Sequence, residues 1–206
     1  MMTTIDSSDI AQLDKLTRVQ LATSLPGVKP VALIGTINDQ GQTNLAPFSS
    51  VVHLGSNPVL LGMVTRPDVV ERHTLANIVK SGGWTINHLT PEIVEQAHHC
   101  SARYPHDVSE FEATGLTPHF ENGIPFPFVS ESPFRLALEL EDLIDIPANG
   151  TKMVVGRVTC IQLPGESLSE DGQLDLPGMG LVASTALDTY FTVSHLARHP
   201  YAKPKA

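Results

Sequence analysis

Short apolar segments separated by turn signals set the fold class of this 206-residue chain. Residues 31–37 are rich in β-branched side chains and are followed by Asn38-Asp39-Gln40-Gly41, which predicts a strand and a hairpin turn. Asn149-Gly150 is a second strong turn signal. The other segments that predict strands are residues 43–52, 59–64, 84–89, 134–146 and 153–163. Because a parallel sheet would need more helices between its strands, we expect a mostly β fold, an antiparallel barrel with attached helices.

The attached helices are predicted from periodicity and capping residues. Residues 8–22 form one amphipathic helix, capped by Ser8 or Asp9, and a further helix covers residues 69–80. A third helix begins at Thr90 with Pro91 in its first turn and runs to about residue 101. Residues 102–133 are rich in proline and glycine and yield no clear element, and residues 189–206 form a short helix or a tail.

Charge and cysteine content narrow the function classes. The formal net charge is −9, which disfavours nucleic acid and anionic lipid as general partners. The two cysteines have no paired spacing, which favours free thiols in a reducing compartment, although a disulfide stays open. The first nine residues carry no Lys or Arg and no long apolar run, so we expect a cytoplasmic protein without a signal peptide.

Two segments carry polar groups that suit a ligand. Residues 43–50 combine Asn44 with Pro47 and two serines, and Pro47 requires a bulge or an edge position because it lacks a backbone donor. Such a stretch can present hydroxyl and backbone N–H groups to a planar polar ring, yet the residues alone favour an ordinary bulged strand. Arg66 and Thr74 lie near a predicted helix start, which is either a phosphate site or a surface turn.

Metal and nucleophile sites are not expected. His98, His99 and Cys100 are adjacent and therefore point in different directions on a helix. His195 lacks the following glutamate of a zinc-protease motif. Cys100 lies at a predicted helix C-terminus, where the dipole raises a thiol pKa, so it is interpreted as inert.

Four motifs, taken in order, resemble the flavin reductase-like domain family. They are G-T-I-N-D-Q-G-Q-T-N-L-A-P-F-S-S, S-N-P-V-L-L-G-M-V-T-R-P-D, H-T-L-A-N-I and W-T-I-N-H-L, and E-F-E-A-T-G-L-T-P and V-S-E-S-P continue them. The resemblance covers residues 26–163. It divides the chain into an N-terminal helical extension (1–25), the domain (26–190) and a tail (191–206). Two departures are His73, where many relatives have aspartate, and Asn57-Pro58-Val59 in place of a double proline.

The resemblance implies an antiparallel split β-barrel that binds FMN at a homodimer interface. Three groups of residues carry over. The isoalloxazine ring and ribityl chain would contact Asn44, Ala46, Pro47, Phe48, Ser49 and Ser50. The phosphate would be held by Thr65, Arg66 and Thr74. Two further parts of the chain would lie close to the ring or ribityl chain. They are Asn87 and the stretch from Ala97 to Ser101.

The implied activity is hydride transfer from NADH or NADPH to the flavin, with a monooxygenase or another electron acceptor as partner. The cofactor carries this chemistry, so no catalytic acid or base is assigned. The alternative is a non-catalytic FMN protein that carries electrons or stores flavin. A barrel that has lost flavin is a weaker alternative, because Asn44, Ser49, Arg66 and Thr74 are all present.

Overall fold

The computed structural model describes residues 2–67, 73–105, 107–186 and 188–204. Its strands are β1 (Lys29–Pro30), β2 (Ala32–Ile37), β3 (Thr43–Phe48), β4 (Val52–Ser56), β5 (Val59–Thr65), β6 (Gly83–His88), β7 (Pro118–Glu121), β8 (Ile124–Val129), β9 (Arg135–Ile146), β10 (Thr151–Gln162), β11 (Val182–Thr185) and β12 (Thr189–Thr192). Its helices are α1 (Ser7–Gln12), α2 (Lys15–Ser24), α3 (His73–Ser81), α4 (Val94–His99) and α5 (Glu110–Thr114). Short 3-10 turns cover Pro91–Ile93 and Gly165–Ser167.

A seven-stranded antiparallel sheet of order β3-β2-β6-β9-β10-β5-β4 forms the body of the molecule. A second sheet pairs β1, β11 and β12, and the hairpin β7-β8 contacts β2, β6 and β9. The predicted mostly β, antiparallel split-barrel class is therefore confirmed. No helix within the described residues is long and apolar enough to cross a bilayer.

The β2-β3 hairpin explains how a proline is accommodated in a strand. The register runs from Ile37 opposite Thr43 to Ala32 opposite Phe48 without a shift, and Pro47 lies opposite Leu33. Because β3 is the outermost strand, the missing donor of Pro47 leaves no ladder partner unsatisfied. The edge position, one of the two predicted alternatives, is the correct one.

A side chain holds the linker between β3 and β4 against β5, which pairs with β4 in the large sheet. β3 and β4 lie at opposite ends of the strand order, although residues 49–51 join them directly in sequence. The Ser50 hydroxyl donates to the Val64 carbonyl oxygen (3.0 Å) and accepts from the Val64 N–H (3.1 Å). The linker after β3 is thereby held against β5, and we call this contact the barrel seam.

Two hydrophobic clusters fill the fold. One includes Trp84, Ile86, Leu138 and Val154 on the strands of the large sheet, and the other packs β2 and β3 against α4, α5 and β8. β8 crosses so closely over β2 that a Cβ on Gly35 would lie 2.5 Å from Thr85 Oγ1 and closer still to the Pro127 carbonyl oxygen. The core therefore depends on a glycine at this crossing.

The N-terminal prediction was wrong in two respects, the number of helices and the cap, and the segment forms two helices rather than one. Leu13 is extended (φ −62°, ψ 142°), and the carboxylate of Asp14 caps α2 by accepting from the Leu16 and Thr17 N–H groups. The cap of α1 is Asp6, not Ser8 or Asp9. Asp14 supplies a local hydrogen-bond alternative to helix continuation, which interrupts the apolar periodicity.

Other boundaries also differ from the sequence prediction. The segment 43–52 is divided between β3 and β4, and the helix after Thr90 is a 3-10 turn that continues into α4. The predicted helix 69–80 is described only from His73 onward, and its first four residues lie outside the described residues. The segment 102–133 contains α5, β7 and β8, and the C-terminal segment begins with β12 instead of a helix or tail.

Candidate functional site

The linker between β3 and β4 carries uncommitted hydrogen-bond donors. The backbone N–H groups of Ser49, Ser50 and Val51 hydrogen-bond no other residue in the described part of the chain, and neither does the Ser49 hydroxyl. All three residues are half-buried. A buried N–H group normally has a partner, so this cluster of free donors at a shielded place suits the acceptor edge of a ligand.

Arg66 lies close to this linker because of the barrel seam. Ser50 is bonded to Val64, and two residues along an extended chain place the Cα of Arg66 about 7 Å from that of Val64. Arg66 is exposed, and its guanidinium forms no hydrogen bond or ion pair with any described residue. A planar, permanently charged fork is thus available beside the free donors of the linker.

Asn44 and Thr74 meet through a buried polar network. Asn44 Nδ2 donates to Thr74 Oγ1 (3.1 Å) and Thr36 Oγ1 (3.2 Å), and Asn77 Nδ2 also donates to Thr36 Oγ1 (3.1 Å). Because the Thr74 oxygen accepts from Asn44, its own proton remains for another acceptor. Asn44 therefore orients Thr74, with its two donors already used. The adjoining cavity, lined in part by Asn44, His73 and Asn77, has a volume of about 20 Å³, enough for one water.

Not every residue named from the resemblance reaches the surface of this region. Thr65 is 2% exposed and its hydroxyl donates to the Lys152 carbonyl oxygen (3.4 Å). Ala46, Pro47 and Phe48 are half-buried, and Phe48 packs against the core of the large sheet. Ser101 is exposed after α4.

Asn87 and Ala97 are fully enclosed, each with 0% exposure. Asn87 Nδ2 donates to the Leu33 carbonyl oxygen (3.1 Å) and to Thr85 Oγ1 (2.9 Å), and its Oδ1 accepts from the Val129 N–H (2.9 Å). This amide joins β6, β2 and β8 from inside the barrel. Both side chains are closed to solvent in the structure, whereas Arg66 is exposed.

Glu110 is a buried residue that the sequence analysis did not single out. Its Oε2 accepts from the Leu45 N–H (2.9 Å), so α5 covers the free edge of β3. Burial raises the pKa of this carboxyl group, and its hydrogen bond to the Leu45 N–H opposes the shift. The only signal in the sequence was the E-F-E-A-T motif, which the resemblance supplied without a role.

His88 gives the folded state a specific acid sensitivity. Its ring stacks on Phe134 (centroids 4.6 Å apart, planes at 8°), and burial lowers its pKa from 6.5 to about 4. Between pH 6.5 and 4 the unfolded chain binds a proton at this histidine that the folded chain does not. Stability therefore decreases as the pH falls through this window, by up to about 3 kcal/mol at this site.

We expect His88→Phe, which keeps the stacked ring but cannot titrate, to flatten the dependence of stability on pH between 6.5 and 4. Urea denaturation at a series of pH values measures it. His195→Phe in the exposed C-terminal segment is the matched control and should follow the wild type. An equally steep profile for His88→Phe would contradict this origin of the acid sensitivity.

The region around the barrel seam thus offers donors and one positive charge. They are the backbone N–H groups of the linker, the Ser49 hydroxyl and the Arg66 guanidinium, while the Thr74 hydroxyl lies farther along β3, beside Asn44. Such a set complements a ligand with several acceptor atoms and an anionic group. Among the described residues no group of three or more His, Cys, Asp or Glu side chains is placed to hold a metal ion.

The chain belongs to the flavin reductase like domain family, whose model matches residues 28–179. A proposed flavin reductase with split barrel domain from Shewanella frigidimarina is 43% identical, with a TM-score of 0.94 over 98% of this chain and 100% of that one. Nitrilotriacetate monooxygenase component B from Bacillus cereus has a TM-score of 0.84 at 22% identity over 97% and 99% of the chains. Flavoredoxin of Desulfovibrio vulgaris has a TM-score of 0.73 at 20% identity over 85% of this chain and 92% of that one. The nitrilotriacetate monooxygenase component and the flavoredoxin are similar to this chain in fold alone.

Proposed function

We propose that this protein binds FMN at the barrel seam and transfers hydride from NADH or NADPH to it, as a flavin reductase. The observation that carries the proposal is the concentration of unpaired donors at the seam in a chain of this family. FMN combines a phosphate with a flat ring whose edge is rich in acceptors, which is the ligand chemistry these donors complement.

The residues fit this cofactor in two parts. Arg66 and the Thr74 hydroxyl would hold the phosphate, because a guanidinium and a hydroxyl proton are both unpaired in the described structure. Ser49 and the linker N–H groups would hold the acceptor edge of the ring, with Pro47 and Phe48 beside them. Thr65 and Asn44 would support the cofactor-binding residues without contacting the cofactor, since both are buried and bonded within the protein.

The chemistry of hydride acceptance is supplied by the bound flavin. The chain's contribution is to place backbone N–H groups where negative charge develops on reduction, which favours the reduced form. We assign no catalytic acid or base. His88, whose burial lowers its pKa to about 4, is neutral at neutral pH.

We further propose a homodimer. Val52, Leu54 and Val59 on the β4-β5 hairpin are 43% to 45% exposed, next to the linker that carries the free donors. Burying such an edge strand against a second copy would cover its unpaired backbone groups. Light scattering of the FMN-loaded protein is expected to give twice the chain mass, and a monomer would contradict this part of the proposal.

The main alternative is a non-catalytic FMN protein that carries electrons or stores flavin. It shares the same site, so the two functions differ only in whether a nicotinamide reaches the ring. A monooxygenase or another electron acceptor would take the electrons in either case.

We place the protein in the cytoplasm, since its two cysteines, Cys100 and Cys160, are free thiols.

The deciding experiment is a visible spectrum of the purified protein with FMN, followed by anaerobic addition of NADH or NADPH. Rapid bleaching of the flavin bands is expected for the reductase and also gives the nicotinamide preference. Flavin bands that persist would favour the carrier or store. No flavin bound after FMN is added would reject the proposal.

Arg66→Ala is expected to raise the dissociation constant for FMN about 10- to 100-fold, because a charge-assisted contact to phosphate is lost. Fluorescence titration of FMN measures the change. Arg18→Ala removes an equal charge from α2 and should leave the affinity unchanged. Unaltered FMN affinity in Arg66→Ala would remove Arg66 from the site.

A further inference from the structure

A groove of about 870 Å³ opens where β9 begins and β10 ends. It shares no residue with the seam region described above. Its lining includes Phe134, Arg135, Ile161, Gln162, Leu163 and Leu174. Its volume is within the range of sites that hold small organic molecules.

The groove contains a guanidinium with unused donors. Arg135 Nη1 makes one long hydrogen bond to the Val129 carbonyl oxygen (3.5 Å), and the guanidinium lies 5.6 Å from the centre of the Phe128 ring. Arg135 Nε is buried without a partner, and Nη2 bonds no described residue. Nε and Nη2 form the side-on edge of the guanidinium, the edge that binds a carboxylate with two parallel hydrogen bonds.

Gln162 is a second polar residue with a buried side-chain atom, next to Arg135 in the groove. It pairs directly with Arg135 across the β9-β10 ladder, so both side chains lie on one face of the sheet. Its Nε2 donates to Glu121 Oε2 (3.1 Å), but its Oε1 is buried without a partner. Of the two unpaired atoms on this cross-strand pair, the Arg135 Nε donor is the one that an anionic ligand satisfies, because Gln162 Oε1 is itself an acceptor.

Arg135, like Arg66, lacks the ion pair that four other cations of this acidic chain form. Arg157 pairs with Glu139 and Glu141, Arg198 pairs with Asp171, and Lys80 and Lys152 each pair with an aspartate. No carboxylate of the described residues pairs with Arg135. A partly buried guanidinium without a counter-charge is unfavourable on its own and is stabilised by an anion.

The rest of the groove is mainly apolar, with Phe134, Leu163 and Leu174 on its inner wall and Ile161 and Leu168 at its exposed rim. We propose that this groove is a second ligand site, which binds an organic carboxylate with an apolar body. The carboxylate lies on the Nε and Nη2 edge of Arg135, and the body lies along the apolar wall. The proposal does not depend on flavin binding at the seam.

Isothermal titration with 3-phenylpropanoate tests the proposal, and 3-phenylpropanamide is the neutral control of the same shape. We expect saturable binding of the carboxylate, one per chain, and binding of the amide at least about 10-fold weaker. Arg135→Gln should weaken carboxylate binding about 10- to 100-fold, while Arg157→Gln, the same change on the exposed side of β10, should not. No saturable binding, equal binding of the amide, or an unaffected Arg135→Gln variant would overturn the proposal.

A second variant guards against misfolding of Arg135→Gln. Ile161 is 55% exposed at the rim, so Ile161→Glu is expected to fold and to repel the carboxylate, whereas Ile161→Gln should bind it nearly as the wild type does. An FMN titration of Arg135→Gln should match the wild type, and a loss of FMN affinity would refute a separate site. If the wild type binds no FMN, the proposed function fails. The titration with 3-phenylpropanoate still shows whether the groove binds a carboxylate.

Discussion

Replacing Asn87 with alanine is expected to lower the free energy of unfolding by about 3–5 kcal/mol, because three buried hydrogen bonds are lost together. The Val129 N–H and the Leu33 carbonyl oxygen lose the partner that the amide supplies. Urea denaturation of the flavin-free protein measures the loss. Asn122→Ala, in the exposed turn between β7 and β8, should change the stability by no more than about 0.5 kcal/mol.

The same variant separates two roles for Asn87. The family resemblance implies a contact with the flavin, whereas the structure encloses the side chain completely. If Asn87 is a structural link, Asn87→Ala that remains folded at low temperature should bind FMN nearly as tightly as the wild type. Unchanged stability together with a large loss of FMN affinity would restore the cofactor contact and contradict the structural role.

Gly35→Ala is expected to lower the free energy of unfolding by about 3 kcal/mol or more, because β8 leaves no room for a methyl group. The new Cβ would lie 2.5 Å from Thr85 Oγ1 and would press on the Pro127 carbonyl oxygen, which accepts a hydrogen bond from Thr85 (2.6 Å). Relief requires β8 to move away from β2, which disrupts both hydrophobic clusters. Thermal and urea denaturation measure the effect.

Gly165→Ala is the matched control, because a Cβ at Gly165 has no heavy atom within 4 Å. It should alter the stability by about 0.5 kcal/mol at most. Equal stabilities of the Gly35 and Gly165 variants would mean that β8 is free to shift, and would contradict the tight crossing described for this core.

Local signals in the sequence predicted much of the fold. The β2-β3 hairpin followed from a β-branched run and a turn, and Pro47 restricted its strand to an edge or a bulge. The break at Leu13 was missed because the apolar spacing predicted a single helix, whereas Asp14 caps a second helix, α2, directly after it. The spacing of apolar residues does not show where a capping side chain interrupts a helix.

Long-range contacts were beyond such signals. Glu110 bonds the backbone of Leu45, 65 residues away, and Ser50 bonds Val64 across the strand order. The residues alone favoured an ordinary bulged strand at 43–50, and only the family resemblance implied a flavin there. The enclosure of Asn87 depends on β8, which lies in a segment that gave no clear pattern.

The barrel seam also has a thermodynamic consequence. Neighbouring strands of the large sheet are joined by ladders of backbone hydrogen bonds, but the linker after β3 is held to β5 through the Ser50 hydroxyl. Local opening should therefore begin there, ahead of global unfolding. A ligand that spans the linker and Arg66 binds only the closed form, so its binding free energy adds to the stability of the seam. Occupancy by cofactor would then set how long the linker stays bonded to β5, and with it how fast the amide hydrogens and peptide bonds of β3 and β4 are exposed to exchange and to proteases.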